Sequence, residues 1–487
     1  MTGAKGNPSK AIAAGTDTTD YASAEKCSAK RSVVERTKDA ESARGRTRGC
    51  RRVWSVLVLA PAILVSPHPP SASSAAVQGQ ELRWIGTWAT AAQPAVASDA
   101  QTFRNQTLRL VVHISAGGKK LRIRLSNIYG EQPLMIGRAH IARRTAAAEI
   151  DPASDRILLF RGQSSTTVPA RSMVVSDAVD LNVPALSDLA ISLFFPGTAV
   201  ATTSHSLAKQ TNYVSAETGD VTAEAKLPVS KTIVSWPFLT GVDVAVSPRG
   251  ASIVAFGSST TDGDGSTRDA NRRWPDVLAE RLQKAAGGTA ELGVLNEGII
   301  GNRLLFDSPA NSPFGPLLGQ SGMTRFERDV LEQPGVKYVL VCLGVNDLLF
   351  PAYPFTPLTE VVTAENMLSG YRQLIARAHK SGVRIIGTTI PPFEGSTFIG
   401  SGLNLTLYTP EREKTRQAVN EWVLHSGKFD GVVDFDAVTR DPARPTQLLP
   451  AYAAGDHLHV KDEGNVAQGK AIPLTLFEVR RSAGSRP

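Results

Sequence analysis

The sequence predicts an α/β fold, with a parallel sheet covered by helices on both faces, preceded by a region rich in β-strands. Beyond about residue 249, continuous apolar runs alternate with amphipathic stretches of helical length, the pattern of a buried parallel sheet. Before residue 246, short alternating runs are separated by turn residues, which is typical of a sandwich-like layer. The 487 residues are 42% hydrophobic and 20% charged, a composition that excludes disorder of the whole chain.

The β-rich region is predicted to span residues 81–246. Two alternating runs flank Ala116-Gly117-Gly118-Lys119, and this arrangement predicts a β-hairpin. Further strands are expected to begin at Pro133, Arg156, Ser172 and Asp188.

The second region, residues 249–482, is predicted to contain five strands of one parallel sheet. These strands are expected to begin at Ala251, Gly293, Lys337, Val383 and Gly431. Helices are expected at Trp274–Ala286, Met323–Leu331, Leu358–Ser381 and Glu411–Ser426. Because ligands bind at the carboxyl ends of parallel strands, the chemistry is expected in the loops that follow these strands.

The first 77 residues have the order of an export signal. A polar, disordered leader at 1–45 is followed by arginines, by the apolar run Val53–Val65 and by small residues at 71–76. We therefore predict a secretory signal peptide at 46–77, since the apolar run is too short for a comfortable transmembrane span. Secretion with cleavage, and no stable membrane span after processing, is the expectation; a retained membrane anchor is the alternative.

The formal net charge of +8 is concentrated in the leader. Residues 1–52 carry 12 Lys and Arg against 6 Asp and Glu, whereas the remainder carries 41 against 39. The electrostatic argument for a nucleic-acid partner is therefore lost. Only Cys342 follows the apolar run, so a cleaved protein would have no internal disulfide.

Serine, histidine and aspartate occur where a nucleophilic site would need them. The first parallel strand ends at Gly257-Ser258-Ser259-Thr260, and the C-terminal segment places Asp456 three residues before His459. A serine nucleophile needs a base, and the base needs an orienting group. Taken alone, the serines are more typical of a turn or helix cap. A metal pair formed by His457 and His459 is weakly indicated, because no further ligand is near.

Two further strand ends can supply hydrogen-bond donors for an oxyanion. The second strand is followed by Gly301, where the missing side chain lets a backbone N–H approach a ligand closely. The third strand is followed by Asn346, whose side-chain amide is a donor. Considered singly, a tight turn at Gly301 and a helix cap at Asn346 are the commoner explanations.

Together these four segments resemble the SGNH (GDSL-type) hydrolase superfamily, and the β-rich region with its Trp84–Trp88 opening is similar to that of a bacterial secreted subset. The corresponding motifs are Gly257–Thr260, Asn296–Gly301, Gly344–Asp347 and Asp456–His459. The resemblance covers roughly Ile253 to Leu476. It implies a flavodoxin-like, three-layer α/β/α SGNH hydrolase domain with a parallel five-stranded sheet.

The resemblance also implies a serine esterase that works through an acyl-enzyme. Ser259 would be the nucleophile, His459 its general base and Asp456 the orienting group. The Ser259 N–H, the Gly301 N–H and the Asn346 side chain would bind the oxyanion. Neither a cofactor nor a metal is required.

One position departs from the family pattern. Ser258 stands where the family usually has aspartate, which leaves both serines as candidates for the attacking residue, with position favouring Ser259. The same departure is the one feature that favours a different class of protein, a catalytically inactive glycan-binding protein.

The expected partner is a small-molecule or carbohydrate ester. Short-chain or carbohydrate acetyl esters are the preferred substrates. Trp84 and Trp88 suit stacking on sugar, although packing in the sandwich core is the commoner role. The alternative is a lysophospholipase or lipase with an apolar groove. That groove would lie near Leu304, Leu305, Phe306 and Phe350. The oligomeric state stays open.

Overall fold

The computed structural model describes residues 82–95, 100–216 and 219–478. The leader and signal peptide predicted at 1–45 and 46–77 lie outside these residues. The described residues fall in one compact unit, so the β-rich region and the α/β region pack against each other. Among the described residues, no helix combines the length and the apolar character needed to cross a membrane.

The N-terminal region is built from strands. They are β1 (Arg83–Ala89), β2 (Gln93–Pro94), β3 (Thr102–His113), β4 (Gly118–Ser126), β5 (Leu134–Ile136), β6 (Arg138–Ala146), β7 (Glu149–Ile150), β8 (Arg156–Ile157), β9 (Thr166–Val168), β10 (Met173–Val175), β11 (Val179–Val183), β12 (Asp188–Val200), β13 (Thr203–His205), β14 (Asn212–Ser215), β15 (Val229–Ile233), β16 (Trp236–Pro237) and β17 (Leu239–Val246).

The C-terminal region alternates strands and helices. Its strands are β18 (Ala251–Gly257), β19 (Leu292–Gly298), β20 (Val336–Cys342), β21 (Arg384–Thr388), β22 (Thr397–Gly400), β23 (Leu403–Thr406), β24 (Gly431–Val433), β25 (Arg440–Asp441) and β26 (Arg444–Leu448). Its α-helices are α1 (Ser259–Asp262), α2 (Trp274–Ala285), α3 (Gly322–Phe326), α4 (Val345–Leu349), α5 (Ala364–Lys380), α6 (Pro410–His425), α7 (Phe435–Thr439) and α8 (Asp462–Ala471).

Two antiparallel sheets in the N-terminal region share one core. The first has the order β1-β17-β4-β10, with β11 also on β4; the second has the order β15-β14-β3-β12-β6-β7, with β8 on β6. Leu108 and Leu110 of β3 are buried in the same apolar cluster as Ile123 and Leu125 of β4. This packing of two sheets face to face confirms the predicted sandwich-like, β-rich region.

The hairpin predicted at Ala116-Gly117-Gly118-Lys119 is wrong. Strands β3 and β4 lie in different sheets, and the residues between them cross from one sheet to the other. The crossing is held by long-range hydrogen bonds, because the Ala116 N–H donates to Thr87 Oγ1 at 2.8 Å and the Ile114 N–H to the Ser187 carbonyl at 3.0 Å. A Gly-Gly turn between alternating runs suits both connections, and only these distant partners distinguish them.

The C-terminal region has a five-stranded parallel sheet with the order β19-β18-β20-β21-β24. Apolar residues of α2 and α7 cover one face, and those of α3, α5 and α6 cover the other. Numbered along the chain, this order is 2-1-3-4-5, which is that of the flavodoxin-like fold. The predicted three-layer α/β/α architecture is confirmed.

The predicted helices differ from the observed ones mainly at their ends. The helix expected from Leu358 begins at Ala364, because Thr363 caps it: the Thr363 hydroxyl accepts from the Asn366 N–H, and the Asn366 side chain accepts from the Thr363 N–H. The helix expected at Met323–Leu331 is α3 followed by a turn of π-helix over Glu327–Leu331.

The two regions meet through hydrogen bonds to serine hydroxyls and through a close approach of two backbones. Gly86 of β1 donates its N–H to Ser252 Oγ at 3.0 Å, and Ser115 Oγ accepts from the Val294 N–H at 2.8 Å. A Cβ atom added to Gly293 of β19 would lie 1.8 Å from the Gly86 carbonyl oxygen. Since that oxygen belongs to backbone, it cannot give way as a flexible side chain would.

Replacing Gly293 with alanine should therefore destabilise the whole molecule. We expect Gly293→Ala to lower the free energy of unfolding by at least about 2 kcal/mol in a urea titration. Gly197→Ala is the control, because an added Cβ there meets nothing within 4 Å. Equal stability of the two variants would contradict the close contact.

Candidate active site

Ser259 lies at the point where the first strand of the parallel sheet turns into a helix. Strand β18 ends at Gly257, Ser258 is the extended N-cap residue, and Ser259 is the first residue of α1. The helix is a single turn, ended by Gly263 with a φ of 113°. This sharp strand-to-helix turn sets Ser259 at the carboxyl edge of the sheet, where ligands bind in such folds.

The three-residue spacing of Asp456 and His459 lets backbone N–H groups hold the Asp456 carboxylate in one orientation. Asp456 Oδ1 accepts hydrogen bonds from the Leu458 and His459 backbone N–H groups, both at 3.0 Å. Its other oxygen, Oδ2, lies 2.5 Å from His459 Nδ1. A carboxylate held by two backbone donors three residues before a histidine fixes the orientation of the ring.

The structure brings Ser259, His459 and Asp456 into one hydrogen-bonded chain. His459 Nε2 lies 2.8 Å from Ser259 Oγ, while Nδ1 faces Asp456. Because the carboxylate accepts, Nδ1 carries the proton in the neutral ring, which leaves Nε2 free to accept from the serine hydroxyl. In the part of the chain that the structure describes, no three His, Cys, Asp or Glu residues are grouped to hold a metal ion.

A second carboxylate lies on the serine side of the imidazole. Asp264 Oδ2 is 3.7 Å from His459 Nε2, and Lys209 Nζ of the N-terminal region is 3.6 Å from the other oxygen of Asp264. Burial acts to lower the pKa of His459, but the negative charges of Asp264 and Asp456 outweigh it and raise that pKa to about 9. Lys209 partly opposes them. Sequence reasoning missed both Asp264 and Lys209.

The charge of His459 in turn shifts the pKa of Asp456. Burial acts to raise the pKa of the Asp456 carboxyl, yet the hydrogen bond from His459 and its positive charge hold that pKa well below the usual range. Asp456 is therefore ionised at every pH at which His459 titrates.

The three predicted oxyanion donors are the Ser259 N–H, the Gly301 N–H and the Asn346 side-chain amide, and their hydrogen-bond partners decide whether a ligand can use them. Gly301 has a φ of 67°, a left-handed conformation that suits glycine. Among the described residues, neither the Ser259 N–H nor the Gly301 N–H has an acceptor. The Asn346 amide gives one hydrogen to the Asn302 carbonyl at 3.0 Å and keeps a second. Donors without partners at a strand edge are available to a ligand.

The chemistry of the site has a counterpart in a known family. Residues 255–467 match the family model described as the GDSL-like Lipase/Acylhydrolase family. Residues 255–467 form a GDSL-like lipase/acylhydrolase domain. The match includes Ser259, Gly301, Asn346 and His459, and the family assigns the domain to the hydrolases of ester bonds. A comparison with curated proteins finds no significant match.

Several solved structures resemble a little under half of the chain. The native aryl esterase of M. smegmatis is 17% identical, with 46% of this chain and 96% of that chain covered and a TM-score of 0.33. A carbohydrate acetylesterase family member from Sinorhizobium meliloti is 18% identical, with 45% and 94% covered and a TM-score of 0.32. A GDSL-like lipase from Bacteroides thetaiotaomicron VPI-5482 is 16% identical, with 46% and 87% covered and a TM-score of 0.31.

A buried arginine supports the loops of the GDSL-like domain. Arg325 of α3 donates to the Gly257 carbonyl at 2.9 Å, to the Glu297 carbonyl at 2.8 Å and to the Asn302 side chain at 3.0 Å. It thereby ties the residues before Ser259 to those around Gly301. Nothing in the sequence distinguished Arg325 from a surface arginine on a helix.

Asp347, beside Asn346, anchors the next stretch of loop. Its two oxygens accept from the Leu304 N–H at 2.6 Å and the Leu305 N–H at 2.9 Å. Burial raises the pKa of the Asp347 carboxyl to about 6, although these two donors act to lower it. This carboxylate therefore has a structural role in the GDSL-like domain.

Most of the apolar residues predicted to line a groove already pack against other protein groups. Leu304 and Phe350 are buried in the core, and the Arg303 guanidinium lies 5.2 Å from the Phe306 ring and 4.9 Å from the Phe350 ring. Leu304 and Phe350 are therefore core residues, whereas Leu305 and Phe306 are partly buried.

The two N-terminal tryptophans have different surroundings. Trp88 is buried and packs edge-on against Trp236 with ring centroids 5.0 Å apart. Trp84 is half-buried beneath the Arg122 guanidinium, at 4.4 Å. Trp88 is thus a core residue of the sandwich with no face free for stacking on a sugar.

A cluster of partly buried aromatic rings lies beside the Asp456 loop. The Thr397 N–H donates to the Asp456 carbonyl at 3.3 Å, and the next residue, Phe398, packs against Phe314 and Tyr353 with centroids 5.6 and 5.3 Å away. Phe355 completes the cluster against Phe314 and Tyr353. This apolar surface was not predicted, because its members come from two loops and strand β22, which are distant from one another in sequence.

The charges around His459 give a test that does not require a substrate. We expect the His459 ring to titrate with a pKa of about 9 in an NMR pH titration. Asp264→Asn removes a negative charge next to Nε2 and should lower this pKa, whereas Lys209→Met removes a positive charge and should raise it. Shifts of equal sign in the two variants would contradict the arrangement.

Proposed function

We propose that the GDSL-like domain hydrolyses carboxylic esters through an acyl-enzyme on Ser259. The observation that carries this proposal is the hydrogen-bonded chain from Ser259 Oγ through His459 to Asp456, with distances of 2.8 and 2.5 Å. A nucleophile, a base and an orienting carboxylate in this order are what acyl transfer requires.

In the proposed first step, Ser259 Oγ attacks the ester carbonyl while His459 Nε2 takes the hydroxyl proton. The tetrahedral intermediate places its negative oxygen against the Ser259 N–H, the Gly301 N–H and the free hydrogen of Asn346. His459 then gives its proton to the leaving alcohol oxygen, and the acyl group stays on Ser259. Water, activated by His459, releases the acid and restores the serine.

The proposed base carries a positive charge halfway through each step. Asp456 faces Nδ1 and Asp264 faces Nε2, so both carboxylates stabilise the imidazolium. The same charges make His459 a base that is neutral only at higher pH. Because only the neutral ring accepts the serine proton, kcat/KM is expected to rise with pH up to about 9.

Short-chain or carbohydrate acetyl esters are the proposed substrates, outside the cell after removal of the signal peptide. In support, Leu304 and Phe350 are core residues and the Arg303 guanidinium lies 5.2 Å from the centre of the Phe306 ring, so three of the four apolar residues already have protein partners. Secretion is proposed from the sequence at 46–77.

A lipase-like activity on larger apolar esters is the second candidate. The aromatic cluster of Phe314, Tyr353, Phe355 and Phe398 favours it, because these rings offer apolar surface next to the Asp456 loop. An inactive glycan-binding protein is less well supported. Ser258 is a buried N-cap residue, and its replacement of the family aspartate is compatible with the hydrogen bond between Ser259 and His459.

The nucleophile is tested with two matched variants. We expect Ser259→Ala to lower kcat for p-nitrophenyl acetate by at least about 10³-fold, because the attacking oxygen is lost. Ser258→Ala removes a neighbouring hydroxyl and should stay within about tenfold of the unaltered protein. The reverse pattern would assign the attack to Ser258, and no turnover by the unaltered protein would favour the glycan-binding alternative.

Substrate size is tested separately, with p-nitrophenyl esters from acetate to palmitate. We expect kcat/KM to be highest for acetate and to fall with chain length, because Leu304 and Phe350 are buried in the core and cannot line an acyl groove. A maximum at long chains would instead support the lipase-like candidate. Leu305→Ala, which opens a partly buried apolar position, should improve the longer esters more than the acetate.

A further inference from the structure

The N-terminal region reaches into the GDSL-like domain next to the nucleophile. His205, the last residue of β13, is 2% exposed and lies between two acceptors. Its Nδ1 is 2.9 Å from the Ala91 carbonyl oxygen, and its Nε2 is 2.9 Å from Asp262 Oδ1. A histidine from one region is thus hydrogen-bonded to a carboxylate three residues after Ser259.

Asp262 is also hydrogen-bonded to the loop that carries Gly301. It is the last residue of α1 and 2% exposed, and its second oxygen, Oδ2, accepts from the Ile300 N–H at 2.9 Å. Ile300 directly precedes Gly301, whose own N–H has no acceptor among the described residues. One carboxylate therefore joins His205 to the peptide next to a proposed oxyanion donor.

The protons of this arrangement can be counted. The Ala91 carbonyl can only accept, so His205 Nδ1 is protonated. Between Nε2 and Asp262 Oδ1 there must be one more proton, because a bare nitrogen and a bare carboxylate oxygen would repel each other at 2.9 Å. His205 and Asp262, both buried, are thus joined by a directional hydrogen bond that helps to orient the Asp262 carboxylate.

Neighbouring contacts leave Asp262 little freedom to find another position. The Asn296 amide donates to the Thr261 carbonyl at 2.7 Å. An added Cβ on Gly298 would lie 2.3 Å from the Asp262 nitrogen, so α1 and the end of β19 are packed backbone to backbone. A movement of Asp262 would therefore be transmitted to Ile300.

We propose that His205 is a positioning residue for acyl transfer, which fixes through Asp262 the loop that presents the Gly301 N–H. The N-terminal region is then part of the active site, through a residue that acts on the loop and not on the substrate. This inference rests on the proposed acyl-transfer function. Preorganised donors contribute to catalysis only when they are held in place, and a displacement of about 1 Å can cost about 100-fold in rate.

Two replacements of His205 separate the two contacts. Asparagine can place an amide near the position of Nδ1 and donate to Ala91, but it is too short to reach Asp262. Glutamine extends to the position of Nε2 and can donate to Asp262. We expect kcat for p-nitrophenyl acetate to fall at least about tenfold in His205→Asn with KM nearly unchanged, and to recover in His205→Gln to within about threefold of the unaltered protein.

The chain offers a matched control in His140. Its Nδ1 is 2.8 Å from Asp155 Oδ2, and both side chains are largely buried in the N-terminal region. His140→Asn removes a comparable histidine–aspartate contact that has no link to the Gly301 loop. We expect it to lower thermal stability as His205→Asn does, while kcat stays within about twofold.

The inference is overturned if His205→Asn keeps its kcat, or if His205→Gln loses as much kcat as His205→Asn, since the latter pattern indicates a packing role alone. If His205→Asn does not fold, Asp262→Ala is compared with Asp155→Ala by the same criterion. Ser259→Ala is measured in parallel. Turnover by Ser259→Ala would contradict the proposed function, whereas an inactive Ser259→Ala beside an unaffected His205→Asn would contradict the positioning role alone.

Discussion

The hydrogen bond between His459 and Ser259 is the constraint that the rest of the α/β region satisfies. It joins residues 200 positions apart in the sequence, so it exists only if the first strand and the last helix of this region are brought to the same edge. The packing of α2 against α8 does this, with the Asn465 side chain accepting from the Trp274 N–H at 3.2 Å. Gly265 permits the final approach, because an added Cβ would lie 2.5 Å from the Val460 carbonyl.

Around this hydrogen bond, buried polar side chains orient the residues at the sheet edge, whereas apolar side chains fill the core. Arg325 is fully buried and donates to the carbonyls of Gly257 and Glu297 at the ends of β18 and β19, to the Asn302 side chain and to Asp329. Such groups are costly to bury and costly to leave unpaired, so each fixes its partners more firmly than an apolar contact of similar size. The ends of two strands and the loop residue Asn302 are thereby joined through one side chain.

The parts of the fold that follow local rules were predictable from the sequence. The five strands of the parallel sheet were predicted from continuous apolar runs. The grouping of Ser259, His459 and Asp456 was predicted from motifs that are visible along the chain, and the structure does place these side chains in hydrogen-bond contact. The crossing at Ala116 and Gly117 was mistaken for a hairpin, since the same residues serve either connection. His205, Lys209 and Arg325 could not be found at all, because their partners are set by tertiary packing and carry no local pattern.

Helix α8 was also missed, and the reason is physical. Its sequence contains Gly464 and Gly469, which are poor helix formers, and few apolar residues to mark a buried face. The glycines are needed for close packing: an added Cβ on Gly469 would lie 2.6 Å from the Val277 side chain. Tertiary contact thus stabilises a helix that propensity alone disfavours.

The backbone contact between Gly86 and Gly293 bears on whether the α/β region is a portable module. Interfaces between domains of one chain usually resemble transient protein–protein interfaces and permit relative motion. Here two main chains touch directly, and strand β1 covers the face of β19 that a truncated chain would expose. Cutting the chain near residue 249 would thus remove the strand that packs against β19. A shortened or fused protein therefore has to keep both regions together.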